Sequence, residues 1–404
     1  MTLVHPLSDI AEVFNGKTPS KAEQRSSGHP VLKIKNVSET GNFRGEFESF
    51  VDPTLAAKHQ LRWLRAGDSL ILNAAHNADY VASKMFFAGE SVEGAMPTGE
   101  WLVVRPNPEF ADPAFVNFWL RSTGARKSIK FMVKGIHLYP KDVAALSVPI
   151  PPLPEQRRIV DLLSRAEGIV RLRREAEKKA AELIPALFLD MFGDPAMNPK
   201  GWPVRKVADF VSRFEGGKNI QAGSENGSAY RILKVSAATS GVYRESESKP
   251  APDGYDPPTV HIVRTGDMLF SRANTEELVG ATAIVSSTNG KTLLPDKLWR
   301  FVWAEPVEPS YMHALFQSPY VRRELGKLSS GTSASMRNIS QGKLFNLRLP
   351  VAPHGNQKDF AERATLIHSI KSQQAAATAK AQGTFDALLA GVFTETSHIL
   401  TSNT

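Results

Sequence analysis

The chain has 404 residues, 42% of them hydrophobic and 22% charged, with no cysteine. This length exceeds what one hydrophobic core usually serves, so two or more domains are expected, while disulfides and cysteine-bound zinc are excluded. The formal net charge of +8 suits a polyanionic partner. Residues 1–6 lack a basic-then-apolar leader and no run of about 18 apolar residues occurs, so a cytoplasmic protein without a membrane span is expected.

In chain order, residues 1–152 predict a mixed α/β head, because short β-rich runs such as 31–34 and 102–104 are separated by Gly, Asn and Asp turns. The head closes on a basic stretch, Arg121, Arg126, Lys127, Lys130, Lys134 and Lys141, with no acid between them and Gly135 inside it. Residues 153–196 predict a helical arm. Leu162, Ala166, Ile169, Arg173, Ala176, Ala180, Leu183 and Leu187 recur at alternating spacings of four and three, the pattern of a coiled-coil seam. Pro154 suits the first turn of this helix, and Pro185 is expected to kink or restart it.

Residues 197–352 predict a second head with its own basic stretch, Arg322, Arg323, Lys327, Arg337 and Lys343, opposed only by Glu324. Residues 353–397 predict a second arm, with a seam of Arg363, Ile367, Ile370, Gln374, Ala377, Ala381, Thr384 and Leu388, and residues 398–404 a tail. The charge follows the same division, with an excess of +2 over residues 1–152 and +6 over residues 197–352, and none in either arm.

Head and arm are thus repeated about 200 residues apart. Leu146 to Pro152 matches Leu347 to Pro353, Gln156 falls on Gln357, Ala186 and Leu187 on Ala387 and Leu388, and Phe192 on Phe393. Upstream anchors are Gly16-Lys17 with Gly217-Lys218, Gly67-Asp68 with Gly266-Asp267, and Trp101 with Trp299. Two arms on one chain close most simply on each other as an antiparallel pair. Pro154 to Ile184 would span ~45 Å as helix, against the roughly 34–36 Å between successive major-groove faces of DNA.

Lys and Arg neutralise phosphates, whereas base reading needs Arg, Asn, Gln or Ser at rigid positions. Candidate DNA contacts in the first head are Asn73, His76, Asn77, Lys84, Arg126, Lys127, Lys130 and Lys134. In the second they are Lys218, Ser271, Arg272, Asn274, Lys297, Arg322, Arg323, Arg337 and Asn338. Catalytic motifs are damaged. Asp256-Pro257-Pro258 is followed by Thr259 where an adenine methyltransferase would place an aromatic. Neither Gly16-Lys17-Thr18 nor Gly290-Lys291-Thr292 has the upstream Gly of a phosphate loop. No nuclease triad and no His pair at metal-binding spacing occurs.

Three stretches complete the picture: Leu153-Pro154-Glu155-Gln156-Arg157-Arg158-Ile159-Val160, Leu187-Phe188-Leu189-Asp190-Met191-Phe192-Gly193-Asp194 and Gly266-Asp267-Met268-Leu269-Phe270-Ser271-Arg272. In head-arm-head-arm order they resemble the specificity subunits of type I restriction-modification systems. The resemblance implies a mixed α/β fold, with two globular target-recognition domains separated by two long antiparallel coiled-coil helices in a pseudo-twofold repeat. It also implies that the chain reads a bipartite asymmetric site in double-stranded DNA without catalysing anything itself. The arms would dock two methyltransferase subunits and, through them, restriction (translocase) subunits. Candidate docking residues are Gln156, Leu187, Phe188, Phe192, Gln357, Leu388 and Phe393. S-adenosylmethionine, ATP and Mg would then belong to those partners, with no cofactor and no metal in this chain. The competing readings are a single-chain DNA methyltransferase or nuclease with its own recognition domains, and a scaffold whose heads bind protein.

Overall fold

A computed structural model describes residues 3–225, 227–333 and 336–398, so the predicted tail beyond His398 lies outside the described residues. In the first head, strands Trp101–Pro106 and Ser69–Leu72 are buried at every position and form the middle of a four-stranded antiparallel sheet. Ala11–Asn15 and Met85–Phe87 flank them. Alternate side chains serve two cores, as the strand period requires. Ile71, Leu102 and Val104 face the core that holds helix Pro113–Arg121, while Leu70, Leu72, Trp101 and Val103 face the other. A second sheet joins Gln24–Arg25, Phe50–Val51, His29–Leu32 and Met96–Pro97, and Leu3–Pro6 pairs with Ser147–Ile150.

The second head repeats the plan. Val211–Gly216, Leu298–Trp303, Met268–Ser271 and Thr282–Ile284 form its four-stranded antiparallel sheet in the same spatial order, and Val204–Lys206 pairs with Arg348–Pro350. The sequence anchors mark shared backbone constraints. Gly67 and Gly266 have φ of 94° and 89°, a left-handed conformation that glycine adopts at no steric cost. The Asp after each accepts a hydrogen bond from the backbone N–H three residues back, Arg65 and Arg264 respectively. Each Asp also meets a buried arginine of the central strand. Arg105 binds Asp68 through Nε (2.9 Å) and Nη2 (2.7 Å), and Arg300 binds Asp267 through Nη1 (2.9 Å) and also Glu215. The Arg300 guanidinium holds the Glu215 carboxyl below its usual range. At Gly16 and Gly217 an added Cβ would fall 2.3 Å from the Pro97 and 1.7 Å from the Leu294 carbonyl oxygen, so the Gly-Lys anchors are close backbone crossings.

Two long helices, Leu153–Phe192 and His354–His398, follow the heads, and the first runs unbroken through Pro185 rather than restarting there. Proline removes one hydrogen bond of the helical ladder, while Ile184, Leu187 and Phe188 on either side pack onto the second-head core. The chain folds as two units, residues 1–174 with 376 onward, and residues 175–375. Each unit therefore contains one head, the start of its own helix and the end of the other repeat's helix. In the first unit Ile159, Leu163 and Val170 share a core with Phe385, Leu389 and Phe393, and Arg174 Nη2 donates to Gln382 Oε1 at 2.9 Å. In the second unit Phe188 and Phe192 share a core with Phe360 and Ala364.

This packing corrects five of the seven docking residues expected from sequence. Phe192 packs at 4.8 Å from the Tyr311 ring and 5.7 Å from that of Phe360, Phe188 at 5.8 Å from Tyr311, and Phe393 at 5.4 Å from Phe115. All three phenylalanines are buried within their units. Gln156 and Gln357 are buried as well and spend their amides internally. Gln156 Oε1 accepts the Asp112 N–H at 2.8 Å and its Nε2 donates to the Phe110 and Pro151 carbonyls. Gln357 repeats this with the Glu308 N–H (3.0 Å) and the Ala352 carbonyl (2.8 Å). Each Gln thus ties the first turn of a long helix to the N-cap of a head helix, Pro113–Arg121 or Pro309–Gln317. Leu187 and Leu388 stay half-buried. The predicted seams hold at Ala166, Ala176, Ala180, Ile367, Gln374, Ala377 and Ala381, which are buried or half-buried, but Leu162, Ile169, Leu183 and Ile370 face solvent. The head cores take Ile159, Leu163 and Val170 instead, because a helix covered by a head on one side has a different inward face from an isolated pair.

Gln156→Ala is expected to leave the Asp112 N–H and two carbonyls without their partner and to lower stability by about 2–3 kcal/mol, with Gln357→Ala similar; chemical unfolding with a core-fluorescence readout checks both. A pH effect belongs to the second unit. Burial, reinforced by the nearby His368, lowers His313 from its ordinary 6.5 to about 4. The folded state keeps this ring neutral, so the associated stability is present above pH 6.5 and is lost as pH falls from there toward 4. The loss is on the order of 3 kcal/mol and should be absent in His313→Gln, as thermal melts between pH 7.5 and 4.5 would read.

Candidate nucleic-acid interface

The loop after the inner strand Ser69–Leu72 carries several predicted DNA contacts, and its backbone is tied to the segment after helix Thr123–Phe131. Leu138 N–H donates to the Asn73 carbonyl (2.8 Å), Ala74 bridges to His137, and Lys130 Nζ donates to the Asp79 carbonyl at 2.6 Å. In the second head Ile339 N–H donates to the Arg272 carbonyl (2.9 Å), Ala273–Asn274 pairs with Met336–Asn338, and Arg322 Nη2 donates to the Glu277 carbonyl (2.8 Å). A basic helix and a loop are therefore brought together in the same way in both heads.

The helices themselves correspond. Ser122 and Ser318 cap Thr123–Phe131 and Pro319–Leu328 by accepting the N–H three residues on, which sets Arg126 against Arg322 and Lys127 against Arg323. At helical spacing Ala125 and Ile129 turn inward, as do Val321 and Leu325, while Arg126, Lys127 and Arg323 turn outward. Arg126, Lys127 and Arg323 are exposed, and none has an ion-pair partner among the described residues. Lys130 is exposed and bonded only to a carbonyl, so its charge stays uncompensated. Arg322 is half-buried, and burial lowers its pKa from the ordinary guanidinium value.

Three predicted readers are corrected, because their side chains hold the head together. Asn73 is buried and its amide donates to Asn15 Oδ1 (2.8 Å) and the Gly99 carbonyl (3.1 Å). Lys84 is buried and donates to the Val37 carbonyl and Glu39. Ser271 is fully buried in the central sheet. Others are committed elsewhere in part. Arg337 donates to Ser329 and Gly331, Arg272 binds Asp296 over the Trp299 ring, and Lys134 pairs with Asp142. Asn274 and Asn338 lie half-buried in the small sheet, Asn77 caps the turn Ala78–Tyr80, and His76, Lys218 and Lys297 are exposed. Asp256-Pro257-Pro258 leads into a short turn at Thr259–His261, and Gly290 turns at φ 73°.

Sequence reasoning missed the apolar part of this surface. Phe131 is 92% exposed at the end of the basic helix, with Tyr80, Ile136 and Tyr139 also exposed on the loops beside it. A search confined to polar groups passes over them, and exposure of a phenylalanine has no signature in sequence.

Residues 4–182, the first head with most of its helix, match the family described as type I restriction modification DNA specificity domain. The specificity-domain region lies within wider similarity to curated specificity subunits. The type I restriction enzyme EcoEI specificity subunit of Escherichia coli is 27% identical over half of this chain, and the MjaVIII specificity subunit of Methanocaldococcus jannaschii 24% over 60% of it. These alignments span 34% and 60% of the relatives' own lengths. The EcoKI specificity subunit of Escherichia coli K12 is 22% identical over 97% of this chain and 88% of its own. A solved chain from a study of assembly and conformational transition of a type I system matches with a TM-score of 0.59, 18% identity and 97% coverage of both chains. A type I S subunit from M. genitalium matches with a TM-score of 0.56 and 9% identity, covering 97% of this chain and 96% of its own. The fold shared with these solved chains therefore extends through the second head, beyond residues 4–182. Among the described residues no helix is long and apolar enough to cross a membrane.

Replacing Arg126 and Lys127 together by Ala should leave the melting temperature unchanged and weaken binding to random-sequence duplex. The plot of log affinity against log salt should become shallower by about 2, and titrations from 50 to 300 mM salt read the slope.

Proposed function

We propose that this chain is the DNA-recognition subunit of a type I restriction-modification complex, reading a bipartite, asymmetric duplex target with one head per half-site and performing no chemistry itself. The observation that carries the reading is the repeated placement of Arg126 and Lys127, and of Arg322 and Arg323, on matching helices of two heads with one sheet topology. The domain scheme is two recognition domains, residues 1–152 and 197–352, and two arms, residues 153–196 and 353–397. The start of each long helix shares a unit with the end of the other, which favours an antiparallel pair of arms.

Two methyltransferase subunits dock on the outward faces of the arms, where Leu162, Ile169 and Leu172 in one unit and Leu183, Leu366 and Ile370 in the other are exposed. Restriction subunits join through them. S-adenosylmethionine, ATP and Mg serve those partners, and the protein works in the cytoplasm. The scaffold reading is disfavoured by Lys127 and Arg323, exposed at matching positions of the two heads and without an ion pair among the described residues.

The test is to exchange residues 197–352 for the matching head of a relative and to select bound duplexes from a randomised pool. One half-site is expected to change while the other persists at the same spacing. Simultaneous change of both halves would overturn the two-reader model, and methyl transfer by the isolated chain would restore the enzyme reading.

A further inference from the structure

Scattered exposed apolar residues are ordinary on a protein surface, but the group at the end of the first basic helix is not scattered. Phe131, 92% exposed, follows Arg126, Lys127 and Lys130 on one outward arc of the helix, since residues three and four apart share a helical face. Tyr80, 64% exposed, sits one residue from Asp79, whose carbonyl receives Lys130. Ile136 and Tyr139 belong to the turn that follows. The base of this knob is fixed. Lys134 and His137 exchange backbone hydrogen bonds of 2.9 and 3.2 Å around Gly135, whose φ is 63°, and Leu138 is bonded back to Asn73, the residue after the inner strand. Acids nearby are few: Asp142 is matched by Lys134, and Asp79 remains exposed.

An exposed aromatic ring at the end of a basic helix suits a surface that is anionic at its rim and apolar at its floor. In the major groove of duplex DNA the rim is phosphate, and the apolar group among the base edges is the C5-methyl of thymine. The second head differs at this point. Counting from the capping serines, Lys327 stands where the first head has Phe131, and it pairs with Glu324 at 2.7 Å.

We propose that Phe131 reads a thymine by contact with its C5-methyl in the half-site recognised by the first head, flanked by phosphate contacts from Arg126, Lys127 and Lys130. The second head makes no such contact. This rests on the DNA-recognition reading above and adds a base-reading residue to it.

The test uses the full chain assembled with its methyltransferase partner and a pool of randomised duplexes, amplified with dTTP or with dUTP, which lacks the methyl group. Wild type is expected to select a motif with one position where thymine is preferred roughly 5- to 20-fold, and to lose that preference in the uracil pool. Phe131→Ala should lose it at that position alone, with the rest of both half-sites and the melting temperature unchanged, and Phe131→Leu should keep part of it. Identical motifs from wild type and Phe131→Ala, or from the thymine and uracil pools, would overturn the contact while leaving the DNA reading intact. A uniform fall at all positions would show that Phe131 acts only structurally. Failure of wild type to select any motif would overturn the DNA reading and this inference together.

Discussion

Each unit of this protein closes its core with the end of a helix that begins in the other. Phe192 completes the aromatic group of Tyr311 and Phe360 in the second unit, and Phe393 meets Phe115 in the first. A phenylalanine buried against aromatic neighbours contributes several kcal/mol through apolar burial and ring packing, so neither head keeps its full core without the arm of the other repeat. The glutamine clamps act at the opposite ends of the same helices. Gln156 and Gln357 fasten each start to its own head, so both ends of each arm are held by packing and by directional hydrogen bonds.

The heads keep a common sheet while letting their surfaces diverge. Both bury an arginine of the central strand against the Asp of the Gly-Asp turn, yet by register Arg300 sits opposite Leu269 while Val103 occupies the matching place opposite Leu70. The arginine has moved two residues along the same face, and in the second head Glu215 has joined it. Such a buried pair persists only with its remaining hydrogen bonds filled, here by the Leu61 and Trp63 carbonyls for Arg105 and by those of Ile262 and Val260 for Arg300. A scaffold anchored at that point tolerates change in the loops above it. The heads differ there, with exposed Tyr80 and Phe131 beside the sheet of one and a small three-stranded sheet, Ala273–Asn274 with Met336–Asn338 and Ser330–Ser333, on the other.

A repeat spaced by about 200 residues, two α/β heads and two helical arms are properties of pattern, and pattern is carried in order along the chain. The family resemblance was visible for the same reason, since it rests on contiguous stretches such as 153–160 and 187–194. The basic stretches were legible as well, and Arg126, Lys127, Lys130 and Arg323 are exposed. What a polar residue does with its charge was not legible. Asn73, Lys84 and Ser271 have the chemistry of base readers, but partners distant in sequence, Asn15, Val37 and the strand Leu298–Trp303, enclose them.

The sequence by itself determined the repeat, the element types and the sign of the surface, because these follow from local composition and periodicity. Only the tertiary structure decided which helix end closes which head, why Gln156 and Gln357 point inward, and why Phe131 points outward. Each of these depends on which side chains distant in sequence exclude water from one another, and that is set by packing in three dimensions rather than by spacing along the chain.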